Sequence, residues 1–452
     1  MNRYNSINAA ARALRAGEVN SVQLAQECLA RISDPTGEGA RVFLHVDAQQ
    51  VLADARKCDA AIQNGETSLL CGIPISVKDL FDVEGQVTTA GSCILANEKP
   101  ATKDATAIAR LRAAGAVLMG RTNMTEFAFS GIGMNPHYGT PLSPYNRSVG
   151  HVPGGSTAGG AVSVSDRMAM AAIGSDTGGS TRIPAAFCNI VGYRPTAERI
   201  PQDGVFPLAH SFDSVGAMAQ TVGDCALLDR IMSASPLIVP NITRPVLGLA
   251  SGHVLGDLDA TVGQAYERAV VRLSQADFEL KNVEGVDWSR PGALLAEGRI
   301  SAFECYESHH ALLKYEADMD QRVAKRIRAA EGFPKATYEA ALQKIMGLRT
   351  SILTQIAAYD VIVLPTVACI PPVLVDLAND EAFFAANTGV LRNTLIANVL
   401  NFCAITIPIN DAGEAPVGLM LMARAGSDAK LFAIAEHVES VLNNARKTAL
   451  GD

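Results

Sequence analysis

The segment GSDTGGSTRIP (174–184) carries residues whose types and order could hydrolyse a carbonyl compound. Ser180 ends a run of small residues, and small side chains leave backbone N–H groups free to turn toward one point. Such donors form an oxyanion hole, which holds the charge that develops on a carbonyl oxygen during attack. Ser180 is therefore a candidate nucleophile, and the predicted oxyanion hole consists of the N–H groups of Thr177, Gly178, Gly179 and Ser180.

A serine nucleophile needs a base, because a free hydroxyl reacts poorly near neutral pH. His137, His151 and His210 lie in the surrounding region, but their spacing favours none of them. The GxSxG elbow of many serine hydrolases is also absent around Ser180. Lys78 is the alternative base, because it follows the apolar strand of GIPISVKD. Burial lowers the pKa of a lysine, so a neutral amine becomes able to accept a proton.

Several segments resemble, in order, the amidase signature family of serine amidases. Between about residues 70 and 196 they are GIPISVKD, TTAGS, GRTNMTEFA, PGGSTAGG and GSDTGGSTRIPAAFCNIVGYRPT. Three later segments resemble the family's C-terminal part, namely YDVIVLPT (359–366), NFCAITIP (401–408) and APVGLMLM (415–422). The resemblance implies a catalytic triad of Lys78, Ser156 and Ser180, with Ser156 on a cis peptide bond.

The resemblance also implies a mechanism. Neutral Lys78 takes a proton from Ser156, which takes one from Ser180, and Ser180 attacks the carbonyl carbon. Ser156 then returns a proton to the leaving nitrogen, and water resolves the acyl-enzyme. Neither a metal nor a cofactor is expected, because the histidines and cysteines show no ligand spacing such as HExxH.

Five further residues are candidates for supporting roles. Asp176 and Arg182 flank the nucleophile, and we expect them to hold its loop by hydrogen bonds or an ion pair. Met124, Phe127 and Thr157 are candidates for the substrate pocket, although core packing is an equal alternative for Met124 and Phe127. Their positions follow from GRTNMTEFA and from PGGSTAGG.

The chain departs from the common family wording at two places. Thr157 and Ala158 stand where serine and glycine commonly follow the cis-serine. In CNIVGYRPT, Asn189 and Arg194 replace a glycine and a lysine of the common CGxxGxKPT. Neither change touches the triad, so activity is still expected, but both bear on the shape of the pocket.

Apolar runs alternate with amphipathic segments along the chain, as in the strand at 73–77, the helix at 104–114 and the strand at 116–120. This alternation predicts an α/β fold, and the resemblance implies a mixed, mostly parallel central sheet wrapped by helices. We expect one domain over residues 1–452, with a signature core at about 70–225. A helical segment at about 290–357 is predicted to shape the substrate pocket, and 388–402 is predicted to be one helix.

Composition narrows the classes of partner. Hydrophobic residues make up 48% of the 452 residues, and the formal net charge is −8. An acidic chain is poorly suited to nucleic-acid phosphates or to an anionic membrane. The nine scattered cysteines are expected to be buried free thiols in a reducing compartment. Without a signal peptide or a long apolar stretch, the expected location is the cytoplasm.

The leading hypothesis is an amidase that acts on small or aryl amides, and also on esters, ureas or carbamates. Uncharged substrates are expected, because no cluster of basic residues indicates a carboxylate site. One alternative is the glutaminase subunit of a tRNA-dependent amidotransferase, which would require a partner protein. Another is a catalytically silent scaffold, which the intact triad argues against. The expected partners are the amide-type substrate and water, and a homodimer is left open.

Overall fold

One central sheet of eleven strands runs through the computed structural model, which describes residues 4–238 and 242–449. The strands are β1 (Phe43–His45), β2 (Pro74–Lys78), β3 (Val117–Thr122), β4 (Ala171–Ser175), β5 (Val191–Arg194), β6 (Val215–Ala219), β7 (Val246–Leu249), β8 (Glu279–Asn282), β9 (Val361–Pro365), β10 (Cys403–Pro408) and β11 (Gly418–Ala423). Their spatial order is β1-β3-β2-β4-β6-β5-β10-β11-β9-β7-β8.

The predicted single α/β domain with a mixed sheet is confirmed, but parallel pairs are not the majority. Within the described ranges, six strand pairings are antiparallel. Four are parallel. The expectation assumed a helix between successive strands. The chain instead passes from β5 to β6, and from β10 to β11, without an α-helix, and such connections allow neighbouring strands to run antiparallel.

Sixteen α-helices surround this sheet in the described part of the chain. They are α1 (Ile7–Ala16), α2 (Ser21–Ile32), α3 (Gly39–Val42), α4 (Ala48–Gln63), α5 (Thr106–Ala113), α6 (Ala158–Ser165), α7 (Arg182–Phe187), α8 (Val222–Ser233), α9 (Ala260–Ser274), α10 (Arg290–Glu297), α11 (Ile300–His309), α12 (Gln321–Arg328), α13 (Lys335–Gln355), α14 (Asp380–Leu391), α15 (Leu395–Leu400) and α16 (Asp428–Ala449). Short 3₁₀ turns occupy Cys93–Leu95, Glu126–Ala128, Gly252–Leu255, His310–Asp318 and Leu374–Leu377.

The prediction of one helix over 388–402 is wrong. The helix begins earlier, ends at Leu391, and a second helix starts at Leu395. Side chains in the break bind other parts of the protein, because Asn393 Nδ2 donates to the carbonyls of Val254 and Pro365 at 3.1 and 2.9 Å. These long-range hydrogen bonds interrupt the helix between Leu391 and Leu395. The local sequence does not predict them, because their acceptors lie far away along the chain.

Both faces of the sheet are buried. In β4, Ala171 and Ile173 pack into the large core cluster that also contains residues of α1, α8 and α16. Ala172, which points to the opposite face, packs with Val162 and Met119 in a second cluster. Such two-sided burial is typical of α/β sheets and holds the strand ends rigidly. No helix of the described ranges combines the length and apolar character needed to cross a membrane.

Asp428, the first residue of α16, fastens this helix to β5. Its side chain is buried and accepts from Tyr193 Oη at 2.6 Å, from Thr196 N at 2.9 Å and from Thr196 Oγ1 at 2.6 Å. Removal of the carboxylate would leave these donors without that partner inside the protein.

We expect Asp428→Ala to lower the free energy of unfolding by about 3 kcal/mol, because buried donors would be left unsatisfied. Urea denaturation followed by circular dichroism measures the change. The matched control is Glu339→Ala, which removes an exposed pair with Lys335 at 3.8 Å and should cost less than about 1 kcal/mol. Equal effects of the two substitutions would contradict the role given to Asp428.

Candidate active site

Lys78 is the last residue of β2, between β3 and β4, and its side chain is fully buried. Its Nζ donates to Ser156 Oγ at 2.8 Å and to Ser175 Oγ at 2.9 Å. Burial lowers the pKa of Lys78 to about 7, and the nearby carboxylates of Asp176 and Asp213 oppose that shift. A large fraction of this lysine is therefore a neutral amine near neutral pH, as a proton acceptor requires.

A backbone hydrogen bond links the segment of Ser156, just before α6, to Ser180. The peptide bond between Gly155 and Ser156 is cis, and the Ser156 side chain is fully buried. The N–H of Thr157 donates to the carbonyl of Ser180 at 3.3 Å. The N–H of Thr125 donates to the carbonyl of Ser156 at 3.2 Å, which ties the GRTNMTEFA segment to the same place.

Asp176 organises the turn that carries Ser180. Its carboxylate accepts from Gly179 N at 2.9 Å, and from the N and Oγ1 of Thr181 at 3.1 and 2.9 Å. Arg182 donates to it through Nε at 3.1 Å and Nη2 at 2.9 Å. Burial raises the pKa of Asp176, but the guanidinium groups of Arg182 and Arg194 outweigh burial, so the pKa lies well below its usual range. The carboxylate is therefore ionised at neutral pH.

One residue of the predicted oxyanion hole is corrected. The N–H of Gly179 is already donated to Asp176, so it is not free to bind an oxyanion. The N–H groups of Thr177, Gly178 and Ser180 donate to no acceptor in the described part of the chain. Thr177 is held by its own hydroxyl, which donates to Asp213 Oδ1 at 2.5 Å. Three of the four expected donors therefore remain without an acceptor in the described residues.

A cavity of about 320 Å³ opens beside Ser180. Its walls are mostly apolar, and they come from the loop 128–131, from the helical segment 290–357 and from α14 and α15. Thr177 and Gly178 also line it, together with the candidate nucleophile Ser180. A small molecule in this cavity would lie next to Ser180.

The structure brings none of the three predicted pocket residues to this cavity. Met124 and Phe127 are fully buried in the core, where the Phe127 ring stacks on Phe206 with centroids 5.4 Å apart. Thr157 is fully buried too, and its hydroxyl faces the carbonyl of Ser175 at 3.5 Å. The backbone of Phe127 is left-handed, with φ of 51°, and the chain reaches the cavity only from Ala128 onward.

The three histidines considered as bases make contacts elsewhere. His151 Nδ1 lies 2.6 Å from the carbonyl of Pro371, and His210 Nδ1 lies 3.3 Å from Glu304. His137 lies near Glu126, at 3.2 Å. The basic side chain that contacts Ser156 in the structure is Lys78, through its Nζ atom. The described residues also contain no group of three or more histidine, cysteine, aspartate or glutamate side chains able to hold a metal.

Arg326 was missed by the sequence reasoning. It lines the cavity from α12, and its guanidinium carbon lies 4.2 Å from the centre of the Phe129 ring. Its Nη1 atom is buried without a hydrogen-bond partner, and no carboxylate of the described residues forms an ion pair with it. Burial lowers its pKa to about 10, so it stays a cation at neutral pH. In the basic run QRVAKRIR, nothing distinguishes it from its neighbours.

This fold and these signature segments are those of an enzyme that hydrolyses carbon–nitrogen bonds. The chain belongs to the amidase signature family, because the family model described as Amidase matches residues 23–432.

Relatives and solved structures agree with this membership. The chain is 34% identical to the 2-amino-5-chloromuconic acid deaminase of Comamonas testosteroni, over 95% of this chain and 94% of that protein. It is 31% identical to a glutamyl-tRNA(Gln) amidotransferase subunit of Chromohalobacter salexigens, over 95% of each. A crystal structure described as an amidase superposes with a TM-score of 0.87 at 27% identity, covering 97% of this chain and all of that one. The peptide amidase of Stenotrophomonas maltophilia gives a TM-score of 0.81 at 26% identity, covering 97% of each chain.

The turn before Ser180 yields a prediction about stability. Gly179 has φ of 130°, and an added Cβ would lie 2.3 Å from Thr394 Oγ1. We expect Gly179→Ala to cost about 3 kcal/mol of unfolding free energy, through backbone strain and this overlap. Gly178→Ala is the matched control, because its Cβ would meet only Leu391 Cδ2 at 3.2 Å, and it should cost less than about 1 kcal/mol. Urea denaturation compares them, and similar losses would contradict this account of the turn.

Proposed function

We propose that the protein hydrolyses an amide-type bond of a small molecule, with Ser180 as nucleophile, Ser156 as proton shuttle and Lys78 as base. The observation that carries the proposal is the 2.8 Å contact between the buried, weakly basic Lys78 Nζ and Ser156 Oγ. Lys78 draws a proton from Ser156, Ser156 draws one from Ser180, and Ser180 Oγ attacks the carbonyl carbon.

The remaining steps use the groups around the cavity. The N–H groups of Thr177, Gly178 and Ser180 stabilise the charge on the carbonyl oxygen. Ser156 protonates the leaving nitrogen as the C–N bond breaks, which leaves an acyl group on Ser180. Water, activated by the same lysine and serine, then releases the acid. Asp176 and Arg182 act as positioning residues, because they hold the turn and do not touch the cavity.

We further propose that the substrate carries a carboxylate, which replaces the expectation of an uncharged substrate. That expectation looked for a cluster of basic residues, whereas one desolvated arginine is enough to bind an anion. Arg326 supplies an unpaired cation in the cavity that Ser180 also lines. The relative from Comamonas testosteroni is named for deaminating an amino-substituted acid, which supports this class. The apolar walls suit an unsaturated or aliphatic chain beside the carboxylate.

The glutaminase subunit of an amidotransferase is the second candidate. The Chromohalobacter salexigens relative supports it, and glutamine also carries a carboxylate that Arg326 could bind. This function would require a partner protein, whereas the first would not. For either function we propose that residues 1–452 form a single domain. We also propose that the helical segment 290–357 shapes its substrate pocket. A cytoplasmic location and a homodimer stay predictions.

We expect Ser180→Ala to lower kcat/KM at least about a thousandfold, because the acyl group would have no nucleophile. Ser301→Ala, which removes another serine of the same cavity, should stay within a few-fold of the wild type. The test compares ammonia or amine release from monoamides of dicarboxylic acids, amino-substituted unsaturated acids, anilides, ureas, esters and glutamine. Turnover that survives in Ser180→Ala would refute the assignment, and turnover of glutamine alone with a partner protein would favour the second candidate.

The pH profile tests Lys78 as the base. Because neutral lysine accepts the proton, kcat/KM should rise with pH and level off above the lysine pKa of about 7. Below that pH the lysine is charged and activity falls. In Lys78→Met the remaining activity should be at least about a thousandfold lower and should lose this inflection. A profile of Lys78→Met with the same inflection as the wild type would assign the base to another group.

Arg326→Met tests the carboxylate subsite. For a substrate with a free carboxylate, we expect kcat/KM to fall about 100-fold, because a charge-assisted hydrogen bond is lost. For the methyl ester of the same substrate, the change should stay within about threefold. The control is Arg328→Met on the same helix, which removes an exposed pair with Glu316 and should leave both substrates unaffected. Equal losses on the acid and its methyl ester would refute the subsite.

A further inference from the structure

A second group of reactive side chains lies outside the amide-hydrolysing site. Cys93 is an exposed free cysteine, while the other eight are buried or half-buried. Its Sγ lies 3.5 Å from His137 Nδ1 and 3.3 Å from the carbonyl of Asp318. The amide hydrolysis proposed above uses none of these residues.

The buried carboxylate of Glu126 lies next to His137, on the side of the ring away from Cys93. The other ring nitrogen of His137, Nε2, lies 3.2 Å from Glu126 Oε1 within ion-pair distance, but it forms no hydrogen bond, and the Glu126 side chain is fully buried. Ser92 Oγ donates to Oε1 of the same carboxylate at 2.5 Å, and the N–H of Asp320 donates to Oε2 at 2.6 Å. The order thiol, imidazole, carboxylate is the arrangement in which a histidine can take a thiol proton and be stabilised as a cation.

The thiol is accessible from a cavity of its own. Cys93 and His137 line a space of about 570 Å³ together with residues 317–322 and Asp380. This space shares no lining residue with the cavity beside Ser180. A small molecule can therefore reach Cys93 Sγ and the imidazole without entering the amide-hydrolysing site.

We propose that Cys93, with His137 as its proton acceptor, is a site of thiol–disulfide exchange with small disulfides. His137 Nδ1 takes the thiol proton, and the Cys93 thiolate attacks one sulfur of the disulfide. A new S–S bond forms on Cys93 as the old one breaks, and the departing thiolate takes the proton from His137. The step balances, because Cys93 is oxidised to a mixed disulfide while one half of the incoming disulfide is reduced to a free thiol. The proton of the Cys93 thiol ends on that departing thiol.

The charges around the cavity select among disulfides. Asp318 forms no ion pair within the described residues, while Asp380 is paired with Arg322 at 3.6 Å and with Lys325. Burial and the Glu126 and Asp318 carboxylates raise the pKa of the Cys93 thiol, so the thiolate depends on transfer to His137. The same negative charges attract a cationic disulfide and repel an anionic one. Cystamine should therefore react faster than glutathione disulfide.

The test measures adduct formation by intact and peptide mass on the full-length protein at neutral pH. With cystamine we expect one half-cystamine adduct, on Cys93, that a reducing agent removes. Cys93→Ser should form no adduct, and Cys369→Ser, which removes a half-buried cysteine, should react like the wild type. His137→Gln should slow the reaction about tenfold. Glutathione disulfide should react at least about tenfold more slowly with the wild type.

An adduct on another cysteine, or a rate unchanged in His137→Gln, would overturn the proposal. The comparison of cystamine with glutathione disulfide uses only the wild type, so it stays decisive if His137→Gln does not fold. Equal rates with the two disulfides would refute the charge selectivity. Because the readout is mass and not turnover, the result is independent of the function proposed for Ser180.

Discussion

The buried carboxylate of Asp176 is the group on which the arrangement of this site depends. Removing an ion from water is costly, and the cost is offset only when its oxygens are fully hydrogen-bonded. Here Arg182 donates twice, and Asn398 Nδ2 donates to Oδ1 at 2.8 Å. The backbone of Gly179 and Thr181 supplies the remaining donors. These bonds make the turn around Ser180 a rigid part of the core.

The same carboxylate connects distant parts of the chain and adjusts the base. Asn398 belongs to α15, and Thr394 Oγ1, just before it, donates to the carbonyl of Gly178 at 2.6 Å. The break between α14 and α15 is therefore part of the site, since a continuous helix would not present Thr394 to the turn. Asp176 also raises the pKa of Lys78 against the larger effect of burial, which keeps this pKa near neutrality.

The sequence identified the signature residues because their chemistry is local, whereas the contacts that refine the site are not. Residue type and motif predict Lys78, Ser156 and Ser180 as the catalytic triad, and in the structure Lys78 Nζ contacts Ser156 Oγ. The lost oxyanion donor at Gly179 could not be foreseen, because it depends on which way the Asp176 side chain turns. Short strands such as β8 (ELKN) show no clear alternation of apolar and polar residues. The share of parallel pairs is lower than predicted, because the sequence does not reveal that some successive strands are joined without an α-helix.

The half-buried Arg326 points to function more strongly than the fully buried Arg182 does. Arg182 is fully buried, but carbonyl, carboxylate and amide oxygens surround its guanidinium, so its charge is compensated within the fold. Arg326 has lost solvent at Nη1 and gains only contact with an aromatic ring. A cation–π contact of this kind contributes about 1–2 kcal/mol, which is less than the desolvation of a charged group costs. The folded chain therefore maintains an uncompensated cation in the cavity beside Ser180, and an anionic ligand is the partner that would compensate it.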